Sequence, residues 1–140
     1  MRVVTYSPTN NSATKRLKKV IRSCAKDVDK KFLTNIDKIP DELIKPRDGA
    51  TALVLNIADE KEFSSIFSIK DYLWDVKVIL VLPDTEDRTL SKGLKLYPRY
   101  YTYADNDFSD LSAVLEKMIA SCSKDKKTGW QLLCGKEIQA

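Results

Sequence analysis

Ala50-Thr51-Ala52-Leu53-Val54-Leu55-Asn56-Ile57-Ala58-Asp59 decides how this chain is read. The apolar run Ala52–Leu55 is short and continuous. It follows Gly49 and stops before the acidic pair Asp59-Glu60. A run of that length between turn residues suits a strand buried on both faces, as in a parallel sheet. Asn56 is a polar residue placed where such a strand leaves the core. In open α/β sheets, ligands bind at the carboxyl ends of the strands. Asn56 is therefore the first candidate site residue.

Outward from that strand the same pattern repeats. Val76–Leu82, VKVILVL, is a second run expected to be buried on both faces. Arg2–Tyr6 and Arg99–Tyr103 read as strands from their β-branched and aromatic content, and Phe32–Ile36 as a weaker one. Between strands, Leu17, Val20, Ile21, Cys24 and Val28 recur at helical spacing, which predicts a helix over residues 13–27 with Ser12 as its N-cap. Pro40 is expected to open a short helix through Ile44 that Pro46 ends. Phe63, Ile66, Phe67 and Leu73 stripe a helix over 60–72, and a short one is expected over 89–96. Leu111, Val114, Leu115, Met118, Ile119 and Cys122 stripe the last helix, capped by Ser109 or Asp110. Strict βα alternation predicts an α/β fold. It is a three-layer, doubly wound parallel sheet of five strands in the flavodoxin-like order 2-1-3-4-5.

At 140 residues the chain has the length of one domain. Residues 1–123 carry the pattern. Residues 124–140 read as a linker or tail whose Trp130, Leu132, Leu133 and Cys134 are expected to dock on the body. No apolar run approaches the roughly 20 residues that span a bilayer, and MRVVTYSP, polar after two valines, is not expected to be a signal peptide. A cytoplasmic location without membrane association is expected. The sequence has no histidine, which removes Ser-His triads, His-based acid–base chemistry and His metal ligands. Cys24, Cys122 and Cys134 are odd in number and form no CxxC pair, so they read as free thiols. The four glycines, at 49, 93, 129 and 135, form no phosphate-cradling motif.

Charge is unevenly spread. Residues 1–49 hold 12 basic and 6 acidic side chains, net +6, while residues 50–123 hold 8 and 12, net −4. The basic residues Lys15, Arg16, Lys18, Lys19, Arg22 and Lys26 line the first helix. No reading motif or interleaved aromatic accompanies them, so they are expected to form a solvated face rather than to bind nucleic acid. Asp59, Asp84, Asp87, Asp105 and Asp107 follow strands three to five. They read as loop and helix-cap residues, with a displaced cation site as the functional alternative.

Over residues 1–123, MRVVTYSP, ATALVLNIAD and VKVILVLP resemble the first, third and fourth strands of a response-regulator receiver domain, in element order, length and landmark position. In that family two acids after strand one hold Mg²⁺ and an aspartate ends strand three as the phosphoacceptor. A Ser or Thr ends strand four, and a lysine ends strand five. Here the acidic pair falls on Ser7-Pro8 and the nucleophile on Asn56. The hydroxyl falls on Leu82 or a neighbour, Val81 or Pro83, and the lysine on Ala104 or Tyr103. The resemblance implies an atypical receiver, a pseudo-receiver, without aspartyl phosphorylation, metal, cofactor or enzyme activity of its own. In receivers the face of helix four, strand five and helix five binds partners or a second copy. That implies a protein partner or a homodimer at Tyr97, Tyr100, Tyr101 and Tyr103, with Tyr101 and Tyr103 on one side of the strand and Tyr100 on the other. The alternative is a small flavodoxin-like binder of a phospholigand or nucleotide through the hydroxyl-rich loop Ser7–Thr14.

Overall fold

A computed structural model describes residues 1–45, 49–105 and 107–127, with side chains through residue 121. In chain order the elements are β1 (Arg2–Tyr6), α1 (Ser12–Cys24), β2 (Asp29–Leu33), α2 (Lys38–Leu43) and β3 (Thr51–Asn56). There follow α3 (Glu62–Ser68), a 3₁₀ turn (Lys70–Tyr72), β4 (Lys77–Leu82), α4 (Asp87–Leu94), β5 (Tyr100–Tyr103) and α5 (Ser109–Lys127). All strand pairs are parallel, and the sheet runs β2-β1-β3-β4-β5, the flavodoxin-like order.

Every residue of β1 and β3 is buried, as is all of β4 after Lys77. Strand alternation divides their side chains between two cores. Val3, Ala52, Val54, Ile79 and Val81 pack with Leu17 and Ile21 of α1 and with Leu111 and Leu115 of α5. Val4, Leu53, Leu55, Leu80 and Leu82 pack with Ile39 and Leu43 of α2 and with Phe63 and Ile66 of α3. Each such large side chain contributes about 1.5–3 kcal/mol by leaving water. Helix α4 seats closely on the second core, because a Cβ at Gly93 would lie 3.0 Å from Leu80 Cδ1.

The sequence expectations differ from the structure chiefly at element ends. The cap of α1 is Asn11, one residue before the expected Ser12. Its Oδ1 accepts the Thr14 N–H at 2.9 Å. The helix stops at Cys24, so Val28 leaves the helical stripe and packs in the turn before β2. The second strand occupies 29–33 rather than 32–36, because pairing with β1, from Arg2↔Asp29 to Tyr6↔Leu33, sets its register. It is an edge strand, where charged residues such as Asp29, Lys30 and Lys31 are at home. Pro40 sits inside the first turn of α2, where its missing N–H costs nothing. The third helix breaks after Ser68 into the 3₁₀ turn, and α4 starts two residues earlier than expected. Pro46, the Cys122 side chain and the tail residues Trp130, Leu132, Leu133 and Cys134 lie outside the described residues. No helix among the described residues is long and apolar enough to cross a membrane.

Candidate functional site

The carboxyl end of β3 delivers Asn56 to the α1 side of the sheet. Its alternation partners Ala52 and Val54 face that layer, and Asn56 pairs in register with Val81, which also faces it. The Asn56 carboxamide is buried and spends its N–H groups on two hydroxyls. Nδ2 donates to Ser7 Oγ at 3.2 Å and to Thr14 Oγ1 at 3.1 Å. Ser7 lies one step past the end of β1 and is itself buried. Thr14, fully buried in the first turn of α1, lies 2.9 Å from the Thr9 carbonyl and 3.1 Å from Asn11 Oδ1, two acceptors for its hydroxyl proton. The result is a closed neutral chain, amide to hydroxyl to carbonyl, that seals the carboxyl end of the sheet from within. Nothing in it is ionised, and a hydroxyl already holding an amide is a poor nucleophile.

Of the residues expected at the degenerate site, Ser7 and Asn56 touch. Pro8 follows Ser7 in the same connection, half-buried. Ala104 follows β5 and packs against the same core as Asn56's neighbours. Leu82 does not join them. It is fully buried in the opposite core, with Leu53 and Leu80. Strand alternation leaves Val81 on the Asn56 side.

The Ala104 position acquires a cation by another route. Arg16, two residues beyond Thr14 in α1, reaches across to donate Nη2–H to the Ala104 carbonyl at 2.8 Å. Its guanidinium also stands 5.7 Å from the centre of the Phe108 ring. Sequence reasoning placed Arg16 on a plain solvated face and gave Asn11 and Thr14 only as part of the ligand-binding alternative at Ser7–Thr14. The signal for the last two was present, because both belong to the hydroxyl-rich Ser7–Thr14 stretch. In the structure the Ser7 and Thr14 hydroxyls turn inward to Asn56.

The acidic residues of the carboxyl end mostly serve their own backbone. Asp59 Oδ1 accepts the Lys61 N–H at 2.8 Å, and Asp84 Oδ1 accepts the Glu86 N–H at 3.0 Å. Asp107 Oδ1 accepts both the N–H and the hydroxyl of Ser109 at 3.0 Å, and these bonds hold its carboxyl below the usual range. Among the described residues no group of three or more Asp, Glu or Cys side chains is placed to hold a metal ion. Glu60 instead bridges Arg88 at 3.0 Å and Lys92 at 2.7 Å, tying the β3–α3 connection to α4. Tyr6 donates its hydroxyl to Glu62 at 3.1 Å; burial, then the Glu62 charge, raises its pKa well above the ordinary phenol value.

The four tyrosines around β5 separate. Tyr100 faces α5 and donates its hydroxyl to Asp110; that bond, then burial, pushes its pKa up to about 12. Tyr101 and Tyr103 lie on the other side of the strand as an edge-to-face pair, ring centres 6.1 Å apart. Tyr97 stands in the turn before β5 at φ 52° and is 83% exposed. Beside it a shallow groove of about 440 Å³ runs along α4, lined by Asp87, Leu90, Ser91, Leu94, Lys95 and Tyr97.

No family model matches this chain, and no curated protein matches it significantly.

Proposed function

We propose that the chain is a phosphorylation-independent, receiver-like signalling module that acts by binding a protein partner or a second copy in a two-component-type system. The observation that carries the reading is the sealed Asn56–Ser7–Thr14 network at the carboxyl end of the central strands. A phosphoacceptor would need to reach solvent there, and the space is filled by a neutral amide. With that end chemically silent, function moves to the flank of the sheet. Tyr101 and Tyr97 are exposed there beside the α4 groove, with Leu94 47% exposed in its wall. Tyrosine supplies contact area with little entropy loss, which suits a binding face. The module neither enters a membrane nor binds nucleic acid in this reading, and it acts in the cytoplasm.

The experiment is affinity capture from the native organism with the wild-type chain and with a Tyr101→Ala/Tyr103→Ala variant. The reading expects a protein other than the chain itself to be retained by the wild type and lost by the folded variant. Equal retention by both overturns the assigned face. A thermal-shift screen with flavins and nucleotides tests the phospholigand alternative. Binding there would require Ser7 and Thr14 to release Asn56, and the reading expects an unchanged melt.

A further inference from the structure

The two ends of the sheet are chemical opposites. Helix-to-strand connections lie at its amino end and strand-to-helix connections at its carboxyl end. Helices α2, α3 and α4 cover one face, and each is followed at the amino end by a large exposed side chain. Ile44 follows α2 and is 68% exposed, Trp74 follows the 3₁₀ turn after α3 and is 88% exposed, and Tyr97 follows α4. Exposed Lys70, Lys95 and Arg99 accompany them, against Asp71 and Asp75, while Lys45 is held by Glu42 at 3.1 Å. Cations near helix C-termini complement the helix dipole. The dipole gives no reason for an exposed tryptophan flanked by an isoleucine and a tyrosine on neighbouring helix ends.

At the carboxyl end the centre is formed by small apolar residues. Pro8, Ala58, Pro83 and Ala104 follow β1, β3, β4 and β5, over the sealed Asn56 network. No large exposed hydrophobic side chain among the described residues lies there. The rim is acidic, with Asp59, Asp84, Glu86, Asp105 and Asp107. Of the cations that reach it, Arg88 is held by Glu60 and Glu86 and Arg16 by the Ala104 carbonyl, while Lys61 stands exposed beside Asp59 and Glu60.

We propose that copies of this chain associate head to tail, the basic aromatic amino end of one seated on the acidic, proline-bearing carboxyl end of the next. Trp74 lies on the Pro8–Pro83 centre, while Lys70 and Lys95 meet the acidic rim. Charge complementarity favours this arrangement, because a two-fold pairing of carboxyl ends would set acid against acid, whereas the cations of the amino end outnumber Asp71 and Asp75. Such an interface is heterologous, so it extends into a chain or closes into a ring. It goes beyond the proposed partner face: it uses neither Tyr101 nor Tyr103, and it shares with the α4 groove only Lys95 and Tyr97.

Sedimentation velocity of the full chain tests it. At low salt the sedimentation coefficient rises with concentration, and at high salt it returns to the monomer value. A first variant, Trp74→Ala/Lys70→Gln/Lys95→Gln, disables the amino end. A second, Glu86→Lys/Asp105→Lys, disables the carboxyl end; all five positions are exposed. Each variant alone associates at least ~10-fold more weakly than wild type, the loss expected when the complementary charges of one end are removed. An equimolar mixture of the two forms a dimer and nothing larger, since each retains one working end. The Tyr101→Ala/Tyr103→Ala variant associates as wild type does, which separates this interface from the partner face. A wild type that stays monomeric at every concentration in low salt overturns the proposal. So does a dimer that persists in either end variant alone, or a mixture that recovers no dimer.

Discussion

Asn56 and Thr14 are 42 residues apart in sequence, yet the Asn56 amide lies 3.1 Å from the Thr14 hydroxyl, with both side chains buried. The pair joins the central strand to the first turn of α1 and closes the end of the sheet where parallel α/β folds place their ligands. Thr14 is held in turn by Thr9 and by the Asn11 cap, so a single change at Asn56 reaches the start of the helix.

Thr14→Val keeps the shape and removes both the acceptor for Asn56 and the donor to Thr9. Chemical denaturation should show a loss of about 1–3 kcal/mol, because a buried amide proton and a carbonyl are left unmatched. Ser7→Ala should cost less, since Asn56 keeps its bond to Thr14.

Asn56→Asp places a carboxylate in the same buried position with no cation in hydrogen-bond reach. Burial raises its folded pKa above the unfolded value of about 3.9. The penalty is therefore absent below the unfolded pKa and grows as pH rises through the folded one. Melting curves should place the variant near wild type at pH 3.5 and clearly below it at pH 8. The variant should also stay unphosphorylated, because Ser7 and Pro8 supply no Mg²⁺ ligands.

Thr5 sits on the same side of β1 as Ser7, and its buried hydroxyl has no hydrogen-bond partner. Thr5→Val removes the unmatched group at nearly constant volume. Denaturant titration should show a gain on the order of 1 kcal/mol.

Tyr100 keeps its proton to about pH 12 in the folded chain, through its bond to Asp110 and through burial. An unfolded tyrosine titrates near 10. The folded state thus holds the proton more tightly, and the associated stability is present below about pH 10 and lost as pH rises toward 12. Tyr100→Phe should flatten part of the alkaline decline in melting temperature. The rest should remain, because Tyr6 is shifted in the same direction by its own burial and by Glu62.

Much of this structure can be read directly from the chain. The runs of β3 and β4 are buried on both faces and could be little else. Their spacing with amphipathic helices implies the parallel order seen in the sheet. The opposite facing of Tyr100 and Tyr101 also follows from strand periodicity alone. Edge strand β2 reads differently from the sequence because only Phe32 and Leu33 of its residues join the cores; its position is set by backbone pairing with β1, which leaves little hydrophobic trace. The facing of Leu82 depended on a register with β3 that only the folded sheet fixes. The contacts of Thr14 and Arg16 were not legible for a related reason. Their partners, Asn56 and Ala104, come from distant strands, and nothing in the local spacing connects them.

The most direct test of a chemically silent site is exposure of the purified chain to acetyl phosphate and Mg²⁺, followed by intact-mass spectrometry. An unchanged mass for both the wild type and Asn56→Asp is the predicted result. A stable phosphoryl adduct on the wild-type chain would contradict the account.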